Sequence, residues 1–250
     1  MLDLKNLFAG YDRKHPILKD VSLTANSGEI TVLLGRNGSG KSTLLHTVIG
    51  AIHASGQILA NGIELATLKP NERAKHLSFL PQRLPAPALS VKETVALGLT
   101  PQRTRLGEAE WRLVDEKIEA LGITALSDRA VSTLSGGERQ KVFLALMLTQ
   151  DTDILLFDEP TTYADAPFTA LFYSLLRKER AKGKTILLVM HHVGEALTLA
   201  DRVAVLQNGS LAFCGTPAEA LEREIPEKCF ELTRYTAKRD GKTAVFFKAE

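Results

Sequence analysis

The chain has 250 residues, 44% hydrophobic and 24% charged, enough for one sizeable α/β domain with a buried core and too apolar for a disordered segment. Its 31 Lys and Arg against 29 Asp and Glu leave a formal charge of +2, which argues against a protein held to nucleic acid mainly by bulk charge. The longest unbroken apolar run is seven residues, 142–148, far short of the roughly 20 that cross a bilayer, and early charges such as Asp3, Lys5 and Asp12 interrupt any signal-peptide core.

Leu2, Leu4 and Leu7 alternate as a half-buried strand does, and so do Val21, Leu23 and Ala25. Residues 30–34 are a β-branched and leucine run that ends in glycines. Leu44, Leu45, Val48 and Ile49 then recur at helical spacing up to a capping glycine, Gly50. Strand, glycine loop and helix form the first half of a βαβ unit. Asn61-Gly62, between Ile58-Leu59 and Ile63-Glu64-Leu65, predicts a two-residue hairpin.

From about residue 84 to 150 the pattern is helical. Ser90-Val91-Lys92-Glu93 is a capping box opening a helix toward Leu97. Trp111, Val114, Ile118 and Leu121 share one face of a second helix, stopped by Gly122. Residues 154–157 and 185–190 are short apolar runs of the buried, parallel-strand kind. Asn208-Gly209 marks a second hairpin, and the charge-rich tail predicts a short one over roughly 230–248, turning at Asp240-Gly241. Cys214 and Cys229 make neither a disulfide framework nor zinc spacing, so they are expected as two reduced thiols of a cytosolic protein.

Three motifs carry chemistry. Gly35-Arg36-Asn37-Gly38-Ser39-Gly40-Lys41-Ser42 fits the phosphate-loop pattern and stands between a strand and a helix. Glycines let successive N–H groups turn inward around phosphate oxygens, and the following helix points its positive end at the same charge. Lys41 is expected on the β- and γ-phosphates of a nucleotide and the Ser42 hydroxyl on Mg²⁺. The strand at 154–157 delivers Asp158, which can hold Mg²⁺ through water, and Glu159, placed to polarise an attacking water. Leu134-Ser135-Gly136-Gly137-Glu138 is a second glycine-led helix start with a hydroxyl able to donate to phosphate. One nucleotide does not need two such cradles.

The Leu-Ser-Gly-Gly-Glu stretch, between the phosphate loop and the Asp-Glu strand, resembles the signature of the ATP-binding cassette family. The resemblance spans nearly the whole chain, with the motifs in the family's order. It implies one cassette over 1–250: a RecA-like P-loop core, an antiparallel β subdomain and a helical subdomain inserted at roughly 84–150. It implies an ATPase using ATP and Mg²⁺.

Further roles follow from the resemblance alone. Tyr11 matches the aromatic that stacks on adenine. Residues Gly35 to Ser42, with Thr43, match the nucleotide-binding loop. Gln82 matches the glutamine that contacts Mg²⁺ and the water, joining Ser42 and Asp158 at the metal. Glu159 matches the catalytic base, and His191 the histidine on the γ-phosphate. Ser135, Gly136, Gly137 and Glu138 match the signature that contacts the partner subunit's ATP, and Asp165 the aspartate of the dimer loop.

Two copies are therefore expected head to tail. The segment around Arg83 to Leu99, with Leu84, Leu89 and Val91, corresponds to the family's groove for a membrane permease. The expected setting is peripheral, on the cytoplasmic face of the inner membrane, with a substrate-binding protein as an indirect partner and no nucleic acid. Phe79-Leu80-Pro81-Gln82-Arg83-Leu84-Pro85 and Leu-Ser-Gly-Gly-Glu-Arg-Gln are most similar to importers of iron–siderophore, haem or cobalamin. Other transporters, a non-transport cassette ATPase or a small-molecule P-loop kinase are the alternatives. The chain departs from the family's pattern at Arg36 (usually proline), Glu138 (usually glutamine), Tyr163-Ala164 (usually Ala-Leu) and His192 (usually aspartate).

Overall fold

Five strands of the centre are buried along nearly their whole length because side chains alternate between two separate apolar clusters. In β3 (Ile30–Leu34), Ile30, Val32 and Leu34 enter one cluster and Leu33 the other. In β7 (Ile154–Asp158), Leu155 and Phe157 face one way, Ile154 and Leu156 the other. β8 (Thr185–Val189) divides in the same manner. A strand with period-2 side chains and apolar residues on both faces must lie inside, covered twice. The structure, a computed structural model, describes the chain except Arg13, Thr104, Tyr163, Asp240, Gly241 and Glu250, and gives the backbone alone for Lys238, Arg239, residues 242–244 and Ala249.

These strands join a six-stranded sheet of order β10-β9-β3-β8-β7-β6, with β6 at Leu77–Leu80, β9 at Arg202–Gln207 and β10 at Ser210–Gly215. All neighbours run parallel except β10, which turns back on β9. A second sheet, of order β2-β1-β4-β5, is antiparallel throughout: β1 (Leu2–Ala9), β2 (Leu18–Ala25), β4 (Ala54–Ala60) and β5 (Ile63–Glu64). Its apolar face and α1 (Lys41–Val48) pack on one side of the large sheet through Leu2, Leu4, Leu7, Leu44 and Leu45. After α2 (Pro70–Arg73) and β6, the chain forms α3 (Val91–Ala96), α4 (Glu108–Ala120) and α5 (Gly136–Gln150), which pack mutually. The other face of the sheet is covered by α5, α6 (Ala166–Ala181) and α7 (Val193–Leu199). The mixed α/β architecture is that of a RecA-like P-loop core.

Local chemistry explains the joints. Asn61-Gly62 and Asn208-Gly209 take φ of 48°, 83°, 51° and 83°, the all-positive pair that matches a two-residue turn to strand twist. Ser90 caps α3 and Glu93 reaches back, a complete capping box. Asp165 caps α6 by accepting the Phe168 N–H at 2.8 Å. On α6, Phe168, Phe172 and Leu176 repeat every fourth residue and are buried, with Phe172 edge-on to Phe157 of β7. At the C-terminus, α8 (Pro217–Glu222) and α9 (Ile225–Phe230) lead to the hairpin of β11 (Leu232–Arg239) with β12 (Lys242–Ala249). The turn expected at Asp240-Gly241 lies outside the described residues.

Candidate functional site

Parallel strands bring their C-terminal ends to one edge, where loops converge. β3 ends in the glycine loop at Gly35, β6 leads to Gln82, β7 ends in Asp158-Glu159, and β8 leads to His191. A sequence with these groups far apart thus assembles them around one cavity of about 490 Å³. Its walls include Asn37, Gly38, Gly40, Lys41, Ser42, Thr43, Gln82, Glu159 and His191.

The glycine loop is tight where it meets the core. A Cβ on Gly35 would stand 2.5 Å from the Leu206 carbonyl oxygen, and Gly40, at φ 107°, leaves 2.8 Å to a Leu18 methyl. Larger residues fit neither position. Lys41 is buried, and its Nζ donates to the Gly35 carbonyl at 2.8 Å and the Arg36 carbonyl at 3.2 Å. Burial pushes its ammonium below the ordinary value, while Glu159 and Asp158 pull the other way. The buried Ser39 Oγ has no hydrogen-bond partner among the described residues. A ready ammonium, an orphaned hydroxyl and a cradle that a Cβ would fill suit phosphate oxygens.

At the end of the loop, Ser42 Oγ donates to Asp158 Oδ1 at 3.3 Å. Burial raises the Asp158 carboxyl above its usual range, and neighbouring Glu159 adds to this. A hydroxyl and a carboxylate are the hard oxygen donors a Mg²⁺ uses when phosphates complete its shell. No group of three or more His, Cys, Asp or Glu able to hold a metal exists among the described residues.

Glu159 is the most constrained group. It sits at φ 52°, a left-handed conformation that costs a non-glycine residue roughly 1–2 kcal/mol. Its Oε2 accepts Gln82 Nε2 at 2.5 Å and lies 3.5 Å from Thr162 Oγ1, while Oε1 lies 2.5 Å from His191 Nε2. The carboxylate is thereby aimed into the cavity, where a general base belongs.

Other expected residues stand elsewhere. Tyr11 is 73% exposed on the β1–β2 loop and does not line the cavity, although Ile17 of that loop does. Arg36 turns outward to an ion pair with Glu231 at 2.8 Å. His192 precedes α7 and lines a different cavity of about 810 Å³, between α7 and the C-terminal hairpin, which His191 also touches. Ser135, Gly137, Glu138 and Asp165 line a third cavity of about 450 Å³ that shares no residue with the first. Tyr163 lies outside the described residues. Leu89 and Leu97 are exposed, while Val91 is fully buried.

Two contributors escaped the sequence reading. Thr162 approaches Glu159, and Gln140 Nε2 donates to the Pro160 carbonyl at 2.5 Å, tying α5 to the loop after Glu159. Neither belongs to a periodic or glycine-marked pattern. The one signal the sequence carries for Thr162 is its closeness to Asp158-Glu159 along the chain.

The sequence profile of the family described as "ABC transporter" matches residues 18–162, more than half of the chain. The iron(3+)-hydroxamate import ATP-binding protein of Bacillus subtilis is 33% identical over 237 residues, covering 92% of this chain and 88% of that protein. The ferric enterobactin transport ATP-binding protein of Escherichia coli is 33% identical over 234 residues, covering 91% and 86%. A solved structure described as the ATP-binding subunit of an ABC transporter superposes with a TM-score of 0.82 at 25% identity, covering 90% of this chain and 93% of that one.

Proposed function

The chain belongs to the ABC transporter family and is an ATPase of it, and we propose that it drives import of an iron chelate of the siderophore kind through a separate membrane permease. The observation that carries the cargo class is the group of relatives at 33–34% identity named for iron-hydroxamate, enterobactin and achromobactin transport. Haem and cobalamin importers are the nearest alternatives in cargo chemistry. A kinase reading does not account for the second cradle at Ser135 or for His191 on the base.

In this reading Lys41 and the N–H groups of residues 35–43 hold the phosphates of ATP, with Tyr11 folding over from its exposed loop to stack on the base. Ser42, Asp158 and Gln82 hold Mg²⁺, which when bound neutralises charge on the phosphates. Glu159 accepts a proton from the attacking water. Gln82 and His191 fix its two oxygens, and with ATP bound the His191 Nε2 proton would turn from Glu159 to the γ-phosphate.

The separation of two phosphate cradles into two cavities supports head-to-tail pairing. Each ATP would sit between the glycine loop of one copy and Ser135–Gly137 of the other, with Asp165 at the joint. Hydrolysis then removes the ligand that holds the pair, so ATP acts as a reversible clamp. No described helix is long and apolar enough to cross a membrane. Peripheral attachment at the cytoplasmic face would come from docking, with exposed Leu89 and Leu97 beside half-buried Leu84 offering apolar contact. A substrate-binding protein would act on the permease alone.

Reconstitution in vesicles tests this. ATP turnover should rise when the chain is combined with the permease of an iron-chelate importer and its loaded binding protein. Stimulation by DNA or ribosomes, with none from any permease, contradicts the proposal.

A further inference from the structure

At the start of α5 the Ser135 hydroxyl is already engaged. It donates to Glu138 Oε2 at 2.7 Å, and the same oxygen accepts the Ser135 N–H at 2.8 Å. In return Ser135 Oγ accepts the Glu138 N–H at 3.3 Å. Matching boxes open α3 at Ser90–Glu93 and α8 at Thr216–Glu219, so this geometry by itself is an ordinary helix cap.

Two features set Ser135 apart from those caps. A Cβ on Gly136 or Gly137 would meet nothing within 4 Å, so the first turn of α5 is uncovered. Its Ser135, Gly137 and Glu138 also open into the 450 Å³ cavity beside Asp165 and Lys141. The charges facing the Glu138 carboxylate are the cations Arg129 and Lys141, while Arg139 donates back to the Leu134 carbonyl.

We propose that Glu138 is a positioning residue that sets how much ATP is needed to pair two copies. It holds the Ser135 hydroxyl and places a like charge where the partner's phosphate must arrive. This rests on the head-to-tail reading above. A serine hydroxyl has one proton, so it serves either the carboxylate or a phosphate oxygen. A carboxylate in the first turn also offsets the positive end of the helix that would otherwise attract the phosphate. Glutamine at the position keeps an acceptor oxygen for the Ser135 N–H and removes the charge.

The experiment uses the full chain carrying Glu159→Gln, with ATP and Mg²⁺, and reads dimerisation by sedimentation at low and high salt. Adding Glu138→Gln should lower the ATP concentration at half-dimerisation by about three- to tenfold at low salt, with a smaller gain at high salt. Thermal stability should fall only slightly, because the charge of the cap is lost while its acceptor oxygen stays. Adding Glu138→Ala should lower the midpoint too while reducing thermal stability further, because the carboxylate's half of the capping box is lost. A purely structural role predicts the opposite, a midpoint that rises with lost stability and ignores salt.

A dimerising parent whose midpoint Glu138→Gln leaves unmoved, or raises, overturns the inference alone. A parent that stays monomeric at saturating ATP overturns the pairing reading and this inference with it.

Discussion

Glu159, the proposed base, is held at both oxygens and set on a left-handed backbone. Replacing it by Gln keeps the shape and removes the base. Turnover should fall by about 10²–10⁴-fold with ATP affinity retained, read by single-turnover hydrolysis and nucleotide binding. His191→Ala should cut turnover far more than His192→Ala, because only His191 reaches Glu159 and the nucleotide cavity. The reverse order of effects assigns the role to the next residue.

Asp158 gives a pH signature at the same scale. In the proposed site its ionised form would hold Mg²⁺, and burial raises its pKa above the ordinary 3.8. On acidification it therefore takes up its proton earlier than an ordinary aspartate does. Mg²⁺-dependent ATP affinity should fall as pH drops toward that raised value, and Asp158→Asn should remove this limb, as titration calorimetry can show.

Individual residues also show what sequence could reveal. The glycine loop was legible because its steric demands are local: Gly35 and Gly40 admit no side chain. The clasp of Gln82 on Glu159 joins groups 77 positions apart. No periodicity encodes that approach, and the family resemblance alone brought the two together.

At the scale of elements, caps and turns carry the predictions. The capping carboxylates Glu93, Glu138 and Glu219 all titrate below the ordinary 4.5, because Ser90, Ser135 and Thr216 donate to their charged forms. A carboxylate depressed in the folded state contributes stability that is present above 4.5 and is lost as pH falls through the folded pKa. Glu219→Gln, far from the nucleotide cavity, should flatten the acid limb of the melting-temperature curve and leave neutral-pH turnover alone.

Turns with their own chemistry, Asn61-Gly62 and Asn208-Gly209, could be read directly, as could the capping box at Ser90. The helix α6 is readable too, since Phe168, Phe172 and Leu176 recur at four-residue spacing. Strand order was not readable. Buried strands such as β3, β7 and β8 carry interchangeable apolar runs, so nothing local says that β9 lies beside β3 in parallel.

For the whole molecule, the central observation is that the glycine loop and the Ser135–Gly137 helix start open into two cavities without a shared wall. On the head-to-tail reading each is half of a site completed by a second copy. Two variants isolate the halves. Lys41→Ala disables the glycine loop. Gly137→Asp puts a carboxylate into the other cradle, where the open space above Gly137 lets the chain fold. Each variant alone should hydrolyse ATP poorly.

Mixing the two is the decisive measurement. Head-to-tail pairing leaves one intact site in every mixed dimer, the glycine loop of the Gly137→Asp chain against the Ser135 cradle of the Lys41→Ala chain. The account predicts that ATP turnover reappears on mixing. If both variants are folded and the mixture stays as inactive as its components, each site belongs to a single chain and the account is wrong.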